Sequence, residues 1–335
     1  MTRRAGLALL TACSLTIAAC GSADDVAAPE EGGSLDVVVG FYPLEYLTDR
    51  VGGERVTVTN LTRAGTDPHD AELSARDVAT VSDADLAVYE SGLQPAVDEA
   101  VTSQDVAHRL DVAQAAELTQ VVDQPIIDVA AGGHDDHTHE DHAHEDGSHD
   151  HADETDGHGH DHAGEVDPHF WLDPVRYEQV ATSIAASLSE IDPDGADTYE
   201  ANLAQVRTDL QALHGEFEAG LASCRSTTLV TSHAAFGYLA QRYGFEQAAI
   251  SGLTPDAEPD PRRLAQVADY ARERDVTTIY AETLSSPAIA ETVARETGAT
   301  TKVLDPIEGI TTEGTDYLSI MRSNLETLRD GQGCS

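Results

Sequence analysis

Histidines and carboxylates recur in this sequence at positions from which they could bind a metal ion. The tripeptide Asp-Pro-His occurs twice, ending at His69 and at His169, each time in a loop that leads to a predicted helix. His233 lies two residues beyond a β-branched run, and Asp305 directly follows another such run. Three imidazole nitrogens and one carboxylate oxygen complete a tetrahedral Zn²⁺ shell at about 2.0 to 2.2 Å. These four residues therefore predict a zinc site.

Each of these residues also has an ordinary structural interpretation. His69 could cap the helix after it, and His169 could be a half-buried core residue. His233 could bond to backbone at the start of its helix, and Asp305 could be a turn residue. Glu282 directly follows a further apolar run and is an alternative fourth ligand. The argument for a site is that all these residues follow predicted strands or precede helices in the same way.

A second set of histidines lies in one acidic segment, residues 134–162. Ten His alternate there with eleven Asp or Glu and no Lys or Arg, which predicts a disordered loop rather than a core. Imidazoles at such short spacing beside carboxylates offer many weak, exchangeable sites for Zn²⁺. The residues expected to contribute to this auxiliary metal capture are His134, His137, His139, His142, His144, His149, His151, His158, His160 and His162.

Eight short runs rich in β-branched residues must position the candidate ligands, four in each half of the chain. Helical patterns separate them, which is typical of parallel sheets built from βαβ units. The predicted strands are Leu35–Gly40, Val56–Leu61, Leu86–Tyr89, His108–Val112, Thr227–Thr231, Phe245–Ile250, Thr277–Ala281 and Thr300–Leu304. We predict an α/β protein of two lobes, each a parallel four-stranded sheet with flanking helices. The carboxyl ends of parallel strands open into one crevice, so the metal is expected in the cleft between the lobes.

One long helix is predicted to join the two lobes. Apolar residues from Tyr199 to Leu221 recur at spacings of three and four, which is a single stripe on a helix of roughly 30 residues, about 45 Å long. A single stiff connection restricts hinge motion. The predicted N-terminal lobe is 35–190, the linking helix 191–223 and the C-terminal lobe 224–335.

The chain begins with a pattern typical of a lipoprotein signal peptide. A basic start precedes an apolar run of about fifteen residues, which ends in small residues before Cys20. Cys13 follows a shorter apolar run and is the poorer candidate. We expect a signal peptide at 1–19, a lipid on Cys20 and a flexible tether at 20–34. This would anchor the protein to the outer face of the cell membrane, in the periplasm if the cell has two membranes.

Besides Cys20, two cysteines remain after the predicted cleavage, Cys224 and Cys334. An even number in an oxidising compartment predicts a disulfide, which would tie down the C-terminal helix. The formal net charge of −42 excludes nucleic acid as a partner, because phosphate binding needs clustered cations. The acid is spread over the whole chain, so it specifies no site.

Four segments resemble the solute-binding lipoproteins of metal ABC importers, in the zinc-binding, ZnuA-like branch of the cluster 9 (cluster A-I) family. They are Leu61–Val78, Asp167–Pro174, Thr231–Tyr238 and Leu304–Pro306. The resemblance covers essentially the whole mature chain and includes the order of the motifs. It implies two lobes, a rigid linking helix and metal ligands at His69, His169, His233 and Asp305, with water taking the fourth position in some members.

The resemblance also implies a function. Manganese and iron branches tend to have Glu where His233 stands, so His233 and the His-rich segment favour Zn²⁺ over Mn²⁺. The expected protein is a monomer that is not an enzyme; it binds Zn²⁺ as cargo and delivers it to an ABC permease driven by its ATPase. Two alternatives are a zinc-dependent hydrolase with Glu282 as its base, and a surface metal buffer or adhesin without a transporter.

Overall fold

The structure is a computed structural model that describes residues 34–119, 166–255 and 259–335. The predicted signal peptide, Cys20, the tether up to residue 33 and the His-rich segment lie outside the described residues. No helix among the described residues is both long and apolar enough to cross a membrane.

The first lobe is built on a parallel sheet in the order β2-β1-β3-β4. Its strands are β1 (Leu35–Val39), β2 (Val56–Asn60), β3 (Leu86–Tyr89) and β4 (Arg109–Asp111). The helices that connect them are α1 (Tyr42–Gly52), α2 (Ala75–Asp83) and α3 (Pro95–Ser103). β1 and β3 lie between the edge strands, and their apolar residues 37–39 and 86–88 are buried.

The second lobe repeats this topology, because its parallel sheet has the order β6-β5-β7-β8. Its strands are β5 (Thr228–Thr231), β6 (Glu246–Ala249), β7 (Thr278–Ala281) and β8 (Thr300–Val303). Its helices are α6 (Gly237–Tyr243), α7 (Pro261–Glu273), α8 (Ala288–Thr297) and α9 (Tyr317–Gln332). The predicted fold class is confirmed, and each predicted strand lies within one residue of an observed one.

Two long helices follow the first sheet: α4 (Pro174–Ile191) and α5 (Ala196–Leu221). α5 packs against α1, α4 and α9, so it contacts both lobes. Its predicted apolar stripe is confirmed, since all seven of its members are buried: Tyr199, Leu203, Val206, Leu210, Leu213, Phe217 and Leu221.

The linking helix is shorter than the sequence predicted. α5 has 26 residues, because the predicted first turn is a short 3₁₀ helix, Pro193–Gly195. Asp192 lies directly after α4, and its carboxylate forms an ion pair with Arg55. It accepts bonds of 2.7 and 2.9 Å from Arg55 and of 2.7 Å from the Tyr199 hydroxyl. These bonds tie the start of α5 to the first lobe.

One large hydrophobic cluster runs through both lobes, beside smaller clusters within each lobe. It includes Val37 of β1, Leu210 of α5, Leu229 of β5 and Leu328 of α9. Apolar burial shared in this way resists separation of the lobes, because separation would expose the common core to water. The described residues accordingly form one compact unit.

The structure contains the disulfide between Cys224 and Cys334. It joins the chain just after α5 to the chain just after α9. Backbone bonds support the same junction, since the carbonyl of Gln332 accepts from the amides of Arg225 and Ser226 at 3.0 and 3.2 Å.

Candidate metal site

The two Asp-Pro-His tripeptides fold in the same way. In each, the aspartate accepts a hydrogen bond from the backbone N–H of the histidine two residues later, 2.8 Å from Asp67 to His69 and 2.9 Å from Asp167 to His169. Asp and Asn favour this local turn because their short side chains reach the backbone two residues on. A short 3₁₀ helix contains His69 and another directly follows His169. The repeated tripeptide thus sets the position of each imidazole.

His233 lies in the loop after β5, and Glu282 follows the neighbouring strand β7. The Glu282 carboxylate accepts from the backbone N–H of His233 at 2.9 Å and also from its Nδ1. β5 and β7 are adjacent at the point where the strand order of the second sheet reverses. Ligand sites of open α/β sheets form at this point. Glu282 therefore supports a histidine at the site.

The fourth residue at the site is Glu308, in the loop after β8, and the sequence did not single it out. His69, His169, His233 and Glu308 are the one group of potential metal ligands found among the described residues. Neither Asp305 nor Glu282, the fourth ligands expected from the sequence, is in this group, and each carboxylate accepts other hydrogen bonds. Asp305 accepts from the backbone N–H of Ile307 at 2.8 Å and closes a turn. That turn directs Glu308, three residues later, toward the histidines.

The four donor atoms are arranged as the corners of a tetrahedron. His169 Nε2 lies 3.4 Å from the Nε2 atoms of both His69 and His233. Oε1 of Glu308 lies 3.4, 3.3 and 3.3 Å from Nε2 of His69, His169 and His233. A tetrahedral ion with bonds of about 2.0 to 2.1 Å requires corners about 3.3 to 3.4 Å apart. Five of the six edges match this value, and the sixth is no longer than 4.8 Å.

The four side chains of the site are almost completely shielded from solvent. The exposed side-chain fractions of His69, His169, His233 and Glu308 are 7%, 0%, 1% and 2%. Glu308 Oε1 is fully buried, faces three ring nitrogens and has no well-formed hydrogen bond to any described residue. A buried carboxylate oxygen without a partner is costly. A cation at equal distance from all four donors would satisfy it, so the residues present fit a bound metal ion.

The sequence as a whole places this site in a known family. The family model described as "Zinc-uptake complex component A periplasmic" (ZnuA) matches residues 37–331. The chain belongs to the ZnuA family.

Individual relatives agree with this assignment. The chain is 37% identical over 332 residues to the "Zinc-binding lipoprotein AdcA" of Streptococcus pneumoniae serotype 4, covering 98% of this chain but 60% of that protein. It is 36% identical over 331 residues to the "High-affinity zinc uptake system protein ZnuA" of Bacillus subtilis, covering 97% of this chain and 96% of the relative. This ZnuA-family chain thus spans only about three fifths of AdcA.

A solved structure extends the likeness to the fold. The "Zn(II)-bound ZnuA-like domain of Streptococcus pneumoniae AdcA" superposes with a TM-score of 0.67 at 34% identity. The match covers 90% of this chain and 99% of that domain.

Carboxylates orient two of the imidazoles of this ZnuA-family site. Nδ1 of His169 bonds to Asp167 at 2.8 Å, as Nδ1 of His233 bonds to Glu282. A carboxylate only accepts, so each Nδ1 carries the hydrogen and each Nε2 presents its lone pair to the centre. Such partners fix the ring and raise its basicity toward the metal.

The charges of the site depend on one another. Burial lowers the pKa of His233, but the neighbouring carboxylates of Glu282 and Glu308 outweigh this effect and hold the pKa well above its usual value. Burial likewise opposes the charged form of His169, while its bond to Asp167 and the nearby carboxylate of Glu308 raise the pKa overall. Burial raises the pKa of Glu308, yet the imidazoles, His233 foremost, keep it well below its usual range. The imidazoles and the Glu308 carboxylate thus favour each other's charged forms.

Proposed function

We propose that this protein captures Zn²⁺ outside the cytoplasm and delivers it to an ABC-type membrane permease. The observation that carries the proposal is the cluster of three imidazole nitrogens and one carboxylate oxygen, in which five of the six donor–donor distances are 3.3 to 3.4 Å. The zinc-binding names of the AdcA and ZnuA relatives support the same metal.

The donor set favours Zn²⁺ over Mn²⁺. Imidazole suits zinc, whereas manganese favours carboxylate, carbonyl and water oxygens in octahedral geometry. Only one donor of this set is an oxygen, and the spacing suits four donors rather than six.

The same geometry supports transport rather than hydrolysis. Catalytic zinc sites keep one position open for water, whereas four protein donors close the shell. Glu282, the candidate base, is held by two bonds from His233. The matching assay is ester and phosphate hydrolysis by the zinc-loaded protein, where turnover that is lost in Glu282→Gln would support the enzyme alternative.

The remaining parts of the proposal concern location and partners. We propose that a lipid on Cys20 anchors a monomeric protein to the outer face of the membrane, where it meets the permease and its ATPase. The histidines of residues 134–162 would collect Zn²⁺ and raise its concentration near the cleft.

A zinc titration of the metal-free protein tests the binding step. In competition with a chelator, the wild type should bind one ion tightly and further ions weakly. His69→Ala, His169→Ala and His233→Ala should each lose the tight ion but keep the weak ones. The matched control is His214→Ala, because His214 lies on α5 and bonds to Tyr243 instead. Tight binding that survives in all three variants would refute the site.

An uptake measurement tests the transport step. Deletion of the gene should reduce accumulation of radioactive zinc at low external concentration, and the wild-type gene should restore it. The His169→Ala gene should not. Unchanged uptake combined with a growth defect that zinc relieves would favour a surface metal buffer instead.

A further inference from the structure

The Glu308 turn, residues 305–308, belongs to the second lobe and is fixed by the side chains of two residues. One of these residues lies in the first lobe, and the other lies on α9. Each is a buried side chain that hydrogen-bonds to backbone atoms of the turn.

Trp171 is the residue of the first lobe that bonds to the turn. Its indole Nε1–H donates to the carbonyl of Pro306 at 2.7 Å, and its side chain is fully buried. Trp171 follows His169 by two residues, and their ring centroids lie 5.3 Å apart. The Tyr317 hydroxyl fixes the same residue by donating to the Trp171 carbonyl at 2.6 Å. One side chain therefore links the loop of His169 to the turn of Glu308 across the cleft.

Asn324 of α9 is the second residue that bonds to the turn. Its amide bonds twice to the backbone of Asp305, accepting from the N–H at 2.9 Å and donating to the carbonyl at 2.7 Å. Asn324 is 2% exposed. A buried polar side chain is stable only when its hydrogen bonds are made, so this pairing is strongly favoured over a displaced turn.

The turn needs these hydrogen bonds because its backbone is strained. Ile307 has φ +58°, a left-handed conformation that is a genuine outlier for a β-branched residue. Such conformations are costly and persist only where the surrounding structure over-determines them. If the bonds at Pro306 and Asp305 were lost, the turn would relax and Glu308 would withdraw from the imidazoles.

We propose that Trp171 and Asn324 are positioning residues that hold Glu308 at the fourth corner of the metal site. The proposal rests on the proposed function, since it concerns the same zinc ion. Through Trp171 the placement of this ligand from the second lobe depends on the first lobe. A change in the spacing of the lobes therefore acts directly on the fourth donor.

The first test is Trp171→Phe, which keeps an aromatic ring against Phe41 and His169 but removes the donor to Pro306. Residues that orient metal ligands typically contribute 10- to 100-fold in affinity. We expect zinc affinity, measured by chelator competition, to fall about 10-fold or more. Asn324→Ala acts on the same turn from α9, is expected to give a loss of similar size, and serves if Trp171→Phe folds poorly.

The matched control is Tyr177→Phe. The Tyr177 hydroxyl donates to the carbonyl of Pro43 at 2.6 Å, so this variant also removes one buried bond to a proline carbonyl in the first lobe. It should lower the melting temperature of the metal-free protein but leave zinc affinity unchanged. A purely structural role of Trp171 would make the two variants alike.

A double-mutant cycle separates positioning from general damage. If Trp171 acts through Glu308, Trp171→Phe should weaken zinc binding in the wild type but cause no further loss in Glu308→Ala. Equal losses in both backgrounds would overturn the proposal, as would wild-type affinity in both Trp171→Phe and Asn324→Ala. These results differ from failure of the proposed function, in which the wild type itself would bind no tight zinc.

Discussion

Substitution of Glu308 by alanine gives the sharpest test of which carboxylate is the fourth zinc ligand. Oε1 of Glu308 forms three of the five measured edges of the donor tetrahedron. Its removal leaves three imidazoles and a position that only water can fill. Loss of a residue that merely orients a ligand costs 10- to 100-fold in affinity. Loss of a ligand itself should exceed this, so we expect a decrease of more than about 100-fold, or about 2.7 kcal/mol.

Asp305→Asn is the matched control for this substitution. The asparagine keeps the oxygen that accepts from Ile307 and suits the same local turn, but it carries no charge. As a turn residue Asp305 should tolerate this change with less than a ~3-fold loss in affinity, because the turn bond is retained. If Asp305 were the ligand, the loss of its charge would weaken zinc binding strongly.

The assay is zinc titration with a competing chelator, combined with calorimetry in buffers of different ionisation enthalpy. Calorimetry reports the protons that zinc displaces. Glu308 helps to raise the pKa of both His233 and His169, so Glu308→Ala should also reduce the number of protons released. A large loss of affinity in Asp305→Asn, with Glu308→Ala near the wild type, would refute the reasoning.

The other predictions concern pH, the support of His169, the disulfide and the His-rich segment. Neighbouring carboxylates raise the pKa of His169 and His233, and only neutral imidazole binds zinc, so affinity should already fall as pH drops from 8 toward 6. Chelator competition across that range should show up to about tenfold per pH unit for each imidazole, and a flat profile down to pH 5 would contradict a three-histidine site. Gly237→Ala would place a Cβ 2.6 Å from Oδ2 of Asp167, the hydrogen-bond partner of His169. Displacement of Asp167 should weaken zinc binding about 10-fold. Gly215→Ala is the control and should leave zinc binding unchanged, because the space around Gly215 is open. Replacing both Cys224 and Cys334 by serine should lower the free energy of unfolding by up to about 4 to 5 kcal/mol in denaturant melts. Zinc affinity should be unchanged, because Cys224 precedes β5 whereas His233 follows it at the other end of the strand. Deletion of residues 134–162 should reduce the number of bound ions in a zinc titration but keep one tight ion, and loss of the tight ion would place it in the deleted segment.

The sequence predicted the fold closely because local and periodic signals agreed. β-branched runs such as Thr228–Thr231 alternate with amphipathic helices, and the stripe on α5 has a clear helical period. The three histidines were predictable for a related reason. His233 directly follows a strand, and the Asp-Pro-His turn places His69 and His169 by bonds within three residues.

Glu308 could not be predicted in the same way, because tertiary contacts decide its position. Asp305 is closer to the end of β8 and is the expected ligand by chain position alone. Three features redirect the chain after β8. The carboxylate of Asp305 accepts a bond from Ile307, Ile307 has a left-handed backbone, and Asn324, distant in sequence, bonds to the backbone of Asp305. Periodicity carries no sign of these contacts. The available signal was a second acid, Glu308, three residues after Asp305 in the same loop.

The origin of the four donors bears on how the proposed zinc ion would be held and released. His69 and His169 come from the first lobe, and His233 and Glu308 come from the second. An ion held this way bridges the lobes, so any increase in their separation removes donors in pairs. The shared core and the stiff α5 oppose such a movement in the isolated protein. Release therefore requires an outside contact that favours the separated lobes, because a ligand or partner shifts an equilibrium only by its differential affinity for the two states. A membrane permease that binds the separated form would supply that difference.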